Sequence, residues 1–421
     1  MAEEKTAHFQ RKPFNLKLFL AKIYALKFIN AFTLLSSVYA IMFKDSGLSD
    51  MTISGLFILW SAVIIIMQIP SGILADKYNR RNVLIAGQLA KMGAFMAWVL
   101  MPNVIGYAAG FVLWGVQGAL HSGTFEAFLY DELKRDGKEN LYAKIYGKAF
   151  SFDLIGYAAI LPLGTLALGL GYEKIILISI ATVGISAIIL ATMKYTKRNT
   201  LSGELASLKI LKDGLGQIWR SNKLFYYIIL LAVIVGFAYI DKYYGLISME
   251  MGVAKKYVGF VMGAIFVMQS IGSWIAYMFE GLKEKSIYFF AGFGALMFGS
   301  VTFFYNLTGI YILTVSYLFF SIARTLFLAR IQHITTSDSR ATVISIYGLI
   351  EQAAMIGGYG VIMFALKIGG YRYAFGMLAA IILIATAFTM HKLKGKNETA
   401  VQVKDMKAVE IKAIQIKDDK P

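Results

Sequence analysis

The chain has 421 residues, of which 58% are hydrophobic and only 16% charged, and its mean hydropathy is +0.62. A soluble domain is about 45–50% apolar and about a quarter charged, so the polar residues here are too few to cover this much apolar side chain in water. The net charge of +17 does not indicate a nucleic-acid partner, because Lys and Arg collect in short connections between apolar runs. The composition therefore predicts a protein of the lipid bilayer.

Several classes of chemistry are not expected from the sequence. The chain has no Cys and only four His, none of them paired at metal-ligand spacing. It contains no phosphate-cradling Walker loop and no nucleophile–base arrangement. We therefore expect no metal, no cofactor and no enzymatic activity. The N-terminal residues MAEEKTAHFQRKPFNLK are too polar for a cleaved signal peptide, so the first apolar run is expected to direct membrane insertion.

Twelve apolar runs are long enough for membrane helices, which need about 20 residues. The first six are Leu16–Phe43, Met51–Leu74, Val83–Met101, Val104–Leu129, Tyr142–Leu170 and Ile175–Met193. The second six are Leu224–Met249, Val258–Phe279, Ser286–Tyr305, Ile310–Leu328, Val343–Leu366 and Tyr373–Met390.

The distribution of positive charge predicts how the spans are oriented. Basic residues concentrate in alternate connections: Lys77, Arg80, Arg81, Lys134, Arg135, Lys138, Lys194, Lys197, Arg198, Lys283, Lys285, Arg330 and Arg340. The positive-inside rule assigns these connections to the cytoplasm. With an even number of spans, both termini are then cytoplasmic, and the protein is expected in the cytoplasmic (inner) membrane.

The long connection after the sixth span divides the chain. We predict an N-terminal six-helix bundle over residues 1–195, a cytoplasmic linker with an amphipathic helix over 196–222, and a C-terminal six-helix bundle over 223–392. Residues 393–421 form a basic cytoplasmic tail, which either lies on anionic lipid or is solvated.

The two halves repeat each other at a fixed offset of 201 residues. Ile145-Tyr146-Gly147 matches Ile346-Tyr347-Gly348, and Met67-Gln68 matches Met268-Gln269. The shared offset favours duplication over chance. The predicted fold is therefore an all-α membrane protein of twelve transmembrane helices, in two pseudo-symmetric six-helix bundles around a central cavity, which is a transporter architecture.

The charged segment SGILADKYNRR lies between spans two and three. Its Gly72, Leu74, Ala75, Asp76, Arg80 and Arg81 match the pattern G-x-L-A-D-x-x-G-R-[RK]. The segment thus resembles the signature loop of the major facilitator superfamily. Asn79 replaces a Gly of the pattern, and Asn tolerates the positive φ that a tight turn there is expected to need.

This resemblance implies a conformational clasp formed by Gly72, Asp76, Arg80 and Arg81. Asp76 would bind backbone N–H groups and cations at neighbouring helix ends and so close the cytoplasmic side in the outward-facing state. The alternative is that the two arginines only determine topology. The resemblance also implies a monomer, and a central cavity lined by spans one, four, five, seven, ten and eleven.

Ionisable side chains within the spans are costly and need a partner or a purpose. They are Lys27, Lys91, His121, Glu126, Asp153, Asp241, Lys242, Arg324 and Glu351. Helical spacing places Lys27 and Asn30 on one face with Ser37, and Ser122 with Glu126. It also places Tyr146 near Asp153, and Tyr347 four residues before Glu351.

We predict that substrate is bound by Lys27, Asn30, Tyr146, Asp241, Arg324 and Tyr347, and that protons are carried by Glu126, Asp153 and Glu351. Burial raises the pKa of a carboxyl group and nearby cations lower it, so such groups can exchange protons at working pH. The alternatives are structural pairing of the carboxylates, Lys242 extending to the interface, structural pairing of Lys91, and a structural role for His121.

The predicted function is proton-coupled secondary transport of a small organic solute by alternating access. Lys27 and Arg324, one from each half, predict an organic anion, either a carboxylate metabolite or a carboxylate siderophore. The first alternative is a proton-coupled exporter of lipophilic cations, although span four lacks the exporters' Arg and span five has only part of their Gly/Pro motif. A second alternative, from another class, is a membrane receptor or scaffold that transports nothing.

Overall fold

The computed structural model describes residues 15–193, 215–279, 281, 284–335 and 340–393, and these residues form helices and short connections without strands. The helices of the first half are α1 (Leu16–Ala31 and Tyr39–Asp45), α2 (Asp50–Lys77), α3 (Arg80–Leu100), α4 (Val104–His121 and Thr124–Arg135), α5 (Tyr142–Leu166) and α6 (Tyr172–Ala191). Those of the second half are α7 (Asn222–Ala238 and Tyr244–Glu250), α8 (Val258–Ile275), α9 (Glu284–Ser300), α10 (Leu307–Ile334), α11 (Arg340–Ile368) and α12 (Tyr371–Leu393).

Each predicted span corresponds to one of these helices. Within the described residues, ten helical segments are long and apolar enough to cross a membrane. The other two positions are taken by α1, which is interrupted, and by α9, which has 17 residues. Most of the predicted linker and nearly all of the predicted tail, residues 196–214 and 394–421, lie outside the described residues.

The helices pack in a pattern that repeats every six helices. In the first half α2 and α3 pack on α4, and α1 packs on α5; in the second half α8 and α9 pack on α10, and α7 packs on α11. The contacts between the halves follow the same symmetry, because α2 packs on α11 and α8 packs on α5. The structure therefore matches the internal duplication read from the sequence.

Three helices are broken inside the apolar region, which the sequence analysis did not predict. The helix α1 is interrupted before the 3-10 turn Leu34–Ser37, and α7 is interrupted before the 3-10 turn Asp241–Tyr243. The helix α4 breaks at Gly123, whose φ of 73° is accessible to Gly at little cost. The predicted shared face of Lys27, Asn30 and Ser37 is therefore wrong, because Ser37 follows the break and packs on α5 at Gly164.

The two bundles are joined at one end of the molecule, here called the Asp45 end. There Lys255 Nζ, just before α8, lies 2.5 Å from Asp45 Oδ2 of α1. The N–H of Gly259 on α8 donates to Thr165 Oγ1 of α5 at 3.3 Å. A Cβ at Gly259 would lie 2.0 Å from the carbonyl oxygen of Leu161, so α8 and α5 are in backbone contact. The opposite end, here called the Arg80 end, holds a cavity between the bundles.

Candidate functional site

A cavity of about 210 Å³, here called the first cavity, lies among α1, α3, α4 and α6. Its polar lining residues are Lys27, Asn30, Gln88, His121, Ser122 and Glu126. Three of the predicted site residues are thus brought together. The cavity also contains Gln88, a residue of α3 that the sequence analysis did not single out.

Lys27 is held between a carboxylate and an aromatic ring. Its Nζ lies 4.0 Å from Asp153 Oδ2 of α5 and 4.2 Å from the centre of the Phe125 ring of α4. The side chains of both ionic partners are largely buried, with about one fifth of their surface exposed. An ammonium over an aromatic face is stabilised by the ring quadrupole, by about 2 kcal/mol when desolvated. Asp153 and Phe125 together stabilise the positive charge of Lys27 in this apolar region.

Glu126 occupies the first turn of the helical segment that follows the break in α4. A carboxylate is favoured there because the unpaired N–H groups of a helix N-terminus carry partial positive charge. Tyr146 of α5 donates to Glu126 Oε1 at 3.2 Å. The second oxygen, Oε2, is buried and accepts no hydrogen bond from the described residues.

Gln88, Asn30 and His121 complete the polar wall of the first cavity. Gln88 is fully buried, and its Nε2 donates to Asn30 Oδ1 at 3.1 Å. Its Oε1 is buried without a hydrogen-bond partner among the described residues. His121 Nε2 lies 3.0 Å from the carbonyl oxygen of Leu84, so this nitrogen carries a proton and donates. His121 is thus hydrogen-bonded to the backbone of α3, as expected if its role is structural.

Lys91 lies one helical turn from Gln88 on α3 and is buried. Its Nζ is 5.7 Å from the ring centres of both Phe95 and Trp114. No carboxylate of the described residues lies within ion-pair distance of it. The expected structural ion pair is therefore replaced by contact with aromatic rings.

In the C-terminal half, Arg324 of α10 lies among aromatic residues. Its guanidinium carbon is 5.9 Å from the centre of the Tyr239 ring, and its Nε is buried without a hydrogen-bond acceptor among the described residues. Tyr347 of α11 lies beside it, with Glu351 near both. The hydroxyls of Tyr239 and Tyr347 are likewise buried. The predicted residues Arg324, Tyr347 and Glu351 therefore form one cluster.

Asp241 lies in the 3-10 turn that interrupts α7, beside Lys242. Lys242 Nζ donates to Tyr359 of α11 at 3.0 Å and lies 4.1 Å from the centre of the Trp60 ring of α2. Lys242 therefore joins the two bundles and does not extend to the interface. The aromatic residues around it are closely packed, since Phe57 contacts Tyr243 edge-on at 5.0 Å.

The predicted clasp residues lie at the Arg80 end. A second cavity of about 250 Å³, between the bundles, is lined by Gly72 and Arg80 together with Ser122 and residues of α11. Arg80 contacts Asp131 of α4 at 2.6 Å, and Arg81 donates to the carbonyl oxygen of Met193 at 2.9 Å. The side chain of Asp76, the centre of the predicted clasp, lies outside the described part of the chain.

The expected positive φ at Asn79 is wrong. Asn79 has a φ of −64° and a ψ of 121°, and its side chain caps α3 by accepting a hydrogen bond from the Arg81 N–H at 2.9 Å. Asn is a preferred N-cap residue because its side-chain oxygen binds an otherwise unpaired helix N–H. The replacement of Gly at this position is explained by capping.

Of the two cations of the predicted anion clamp, only Lys27 belongs to the lining of the two cavities described above. Lys27 lines the first cavity, whereas Arg324 lies in the cluster of the other bundle. Lys27, Glu126 and Asp153 come from helices one, four and five of the first repeat, and Arg324 and Glu351 come from the corresponding helices ten and eleven of the second. The arrangement is a pair of polar, charged clusters, one in each bundle, in an otherwise apolar membrane protein.

This architecture and these clusters define a membrane transporter of two repeated bundles. The sequence profile of the Major Facilitator Superfamily matches residues 20–359, and the chain belongs to this superfamily. It is a multi-pass membrane transporter of small solutes and not an enzyme.

Solved structures share this fold at low sequence identity. The nucleoside transporter NupG matches with a TM-score of 0.73 at 13% identity, covering 90% of this chain and 100% of its own. A D-xylose-proton symporter matches with a TM-score of 0.66 at 14% identity, covering 89% and 96%. The E. coli fucose:proton symporter matches with a TM-score of 0.58 at 16% identity, covering 88% and 98%. A comparison with curated protein sequences gave no match.

Proposed function

We propose that the protein transports a small organic anion, a carboxylate metabolite or a carboxylate siderophore, by proton-coupled alternating access. The observation that supports the anion most directly is Arg324, whose buried Nε has no acceptor among the described residues. A guanidinium in an apolar cluster binds a carboxylate or phosphate through two parallel hydrogen bonds. The substrate would supply the acceptor that Nε lacks among these residues.

Lys27 contributes the second positive charge in this proposal. Its distance of 4.0 Å from Asp153 is at the outer limit of an ion pair, so the two groups attract each other without a close hydrogen bond. Protonation of Asp153 would remove its negative charge and leave Lys27 attractive to an anion. Binding of the proton and binding of the anion would then favour each other.

Glu126 and Glu351 are the further proton sites that we propose. Each lies beside a tyrosine of the duplicated segment, Tyr146 for Glu126 and Tyr347 for Glu351. The xylose and fucose transporters of the same fold are proton symporters by name, which supports proton coupling here. Asp241, in the turn that breaks α7, is proposed to contact substrate from the Asp45 side of the site.

We propose that the Arg80 end is cytoplasmic, that both termini lie on that side of the cytoplasmic membrane, and that the protein acts as a monomer. In this proposal the conformation is inward-facing, because the bundles are joined at the Asp45 end and have a cavity between them at the Arg80 end. Residues 1–195 and 223–392 are proposed to move as two bundles, with the 196–222 linker between them. Closure at the Arg80 end would bring the clasp residues Asp76, Arg80 and Arg81 to the second bundle.

The proposal is tested with purified protein in two steps. Thermal stabilisation against a library of organic anions and lipophilic cations first identifies a ligand, because a ligand of the folded state raises the melting temperature. Uptake of that ligand into proteoliposomes is then measured with and without a proton gradient. Arg324→Gln is expected to lose at least about tenfold in affinity, since a hydrogen bond to a charged group contributes about 1.5–3 kcal/mol.

The matched control is Arg372→Gln, which removes another arginine of the same bundle, an exposed one that donates to the Thr302 carbonyl oxygen. It should transport normally. Stabilisation by lipophilic cations alone would contradict the anion proposal and favour the exporter. A ligand that binds but never accumulates in liposomes would favour a receptor.

A further inference from the structure

The first cavity contains more hydrogen-bond acceptors than the protein satisfies. Gln88 Oε1 and Glu126 Oε2 are both buried, both belong to residues that line this cavity, and both have no donor among the described residues. A buried acceptor without a donor is unfavourable, because it has lost its water without replacement. Two such atoms in one cavity indicate that something else supplies the donors.

The neighbouring contacts fix the chemistry of this wall. Gln88 presents its oxygen because its Nε2 already donates to Asn30. His121 donates from Nε2 to the Leu84 carbonyl oxygen, and in the neutral ring the remaining nitrogen, Nδ1, is then an acceptor. The cavity therefore offers an amide oxygen, a carboxylate oxygen and an imidazole nitrogen, all of which accept hydrogen bonds.

The charges around the cavity decide which kind of donor fits. Before protons bind, Glu126 and Asp153 carry two negative charges, and two lysines, Lys27 at the wall and Lys91 on α3 behind it, carry two positive charges. Because these charges cancel formally, the site has no excess negative charge that would favour an ammonium group. Neutral O–H donors satisfy the acceptors without adding charge.

We propose that the first cavity is a hydroxyl-binding subsite, so that the substrate is a polyhydroxylated organic anion. At least two hydroxyl groups donate to Gln88 Oε1 and Glu126 Oε2. The volume of about 210 Å³ is that of roughly seven water molecules in the liquid, enough for several hydroxyl-bearing carbons. The anionic part of this assignment rests on the proposed function, whereas the hydroxyl part rests on the cavity alone.

Four probes with the same six-carbon chain separate these parts: gluconate, hexanoate, 6-aminohexanoate and glucitol. Their dissociation constants are measured by calorimetry with the purified full-length protein. We expect gluconate to bind at least about tenfold more tightly than hexanoate, because its hydroxyl groups donate hydrogen bonds to the buried acceptors and hexanoate has no hydroxyl groups. Gln88→Leu, or Gln88→Met if the first variant does not fold, should remove most of this preference.

The matched control is Gln117→Leu, which replaces a buried glutamine of α4 that does not line the first cavity. It should keep the preference for gluconate. Equal binding of gluconate and hexanoate, or tightest binding of 6-aminohexanoate, would overturn the hydroxyl subsite. So would an equal loss in the Gln88 and Gln117 variants, or no binding of any of the four probes. Binding of glucitol without any acid would retain the subsite and overturn the proposed anion function.

Discussion

Tyr146 and Tyr347 occupy equivalent positions, 201 residues apart, in the duplicated helices α5 and α11, yet their partners on the fourth helix of each repeat, Glu126 and Arg324, carry opposite charges. Tyr146 donates a hydrogen bond to the carboxylate of Glu126, whereas Tyr347 lies beside the guanidinium of Arg324. A phenol serves both neighbours because its hydroxyl can donate or accept. The duplication thus kept the tyrosine while the partner on the fourth helix of each repeat changed sign.

The first prediction concerns the contact between Tyr146 and Glu126. Tyr146→Phe removes the hydrogen bond of 3.2 Å and leaves both carboxylate oxygens unbonded within the described residues. Because a hydrogen bond to a charged group contributes about 1.5–3 kcal/mol, we expect a lower melting temperature. Glu126→Gln should cost less when it is combined with Tyr146→Phe than when it is made alone. Additive shifts in this double-mutant cycle would contradict the contact.

The second prediction concerns the backbone contact between α8 and α5. Gly259→Ala places a methyl group 2.0 Å from the Leu161 carbonyl oxygen, so the bundles must separate at the Asp45 end. Overpacking of about 1–3 kcal/mol would shift the conformational equilibrium by about 5- to 150-fold toward opening there. Because the chain has no Cys, a single Ile41→Cys reports this opening by its rate of maleimide labelling.

The control for this variant is Gly292→Ala on α9, where a Cβ meets nothing within 4 Å. Labelling at position 41 should be unchanged by it. If Gly259→Ala also left the labelling rate unchanged, the closed interface at the Asp45 end would not limit access.

The third prediction concerns the ion pair between Asp45 and Lys255. Both side chains are well exposed, at 36% and 42%, so the pair should contribute only about 0–1 kcal/mol. We expect Lys255→Gln to change the rate of maleimide labelling of the Ile41→Cys reporter by no more than about fivefold. The change should be smaller at high salt. The exchanged pair Asp45→Lys with Lys255→Asp should restore only part of the natural rate, because a lysine cannot accept the hydrogen bond that Tyr172 donates to Asp45.

The fourth prediction concerns Arg80 at the opposite end. Asp131→Asn weakens one contact of 2.6 Å, but Arg80 has further contacts, so Arg80→Gln should lower the melting temperature more. The double variant should be no less stable than Arg80→Gln alone, because its remaining asparagine leaves no unpaired carboxylate. A double variant that loses the sum of both shifts would indicate that the two side chains act separately.

The transmembrane helices could be predicted from the sequence because a spanning segment must be long, apolar and internally hydrogen-bonded. The interruptions within the helices could not be predicted. The interruption of α1 after Ala31 contains neither Pro nor Gly, so it arises from packing between helices and has no local signal. For this reason the prediction that Ser37 shares a helix face with Lys27 and Asn30 is wrong.

The charged residues of the two clusters could be singled out from the sequence. Lys27, Glu126, Asp153 and Arg324 are conspicuous because a charge within the membrane is costly. Gln88 was not found, because it carries no charge and its importance comes from a cavity formed by four helices. Its burial and its unpaired oxygen are visible only in three dimensions.

The stacking of Lys242 on Trp60 also provides the protein with an optical signal. The indole ring centre of Trp60 in α2 lies 4.1 Å from the ammonium of Lys242 in the other bundle, so we expect its emission to change when the bundles separate. The chain has five tryptophans, and two of them, Trp219 and Trp274, are largely exposed. In a variant that retains Trp60 as its single tryptophan, intrinsic fluorescence would report the rate at which the Asp45 end opens during turnover, without any added label.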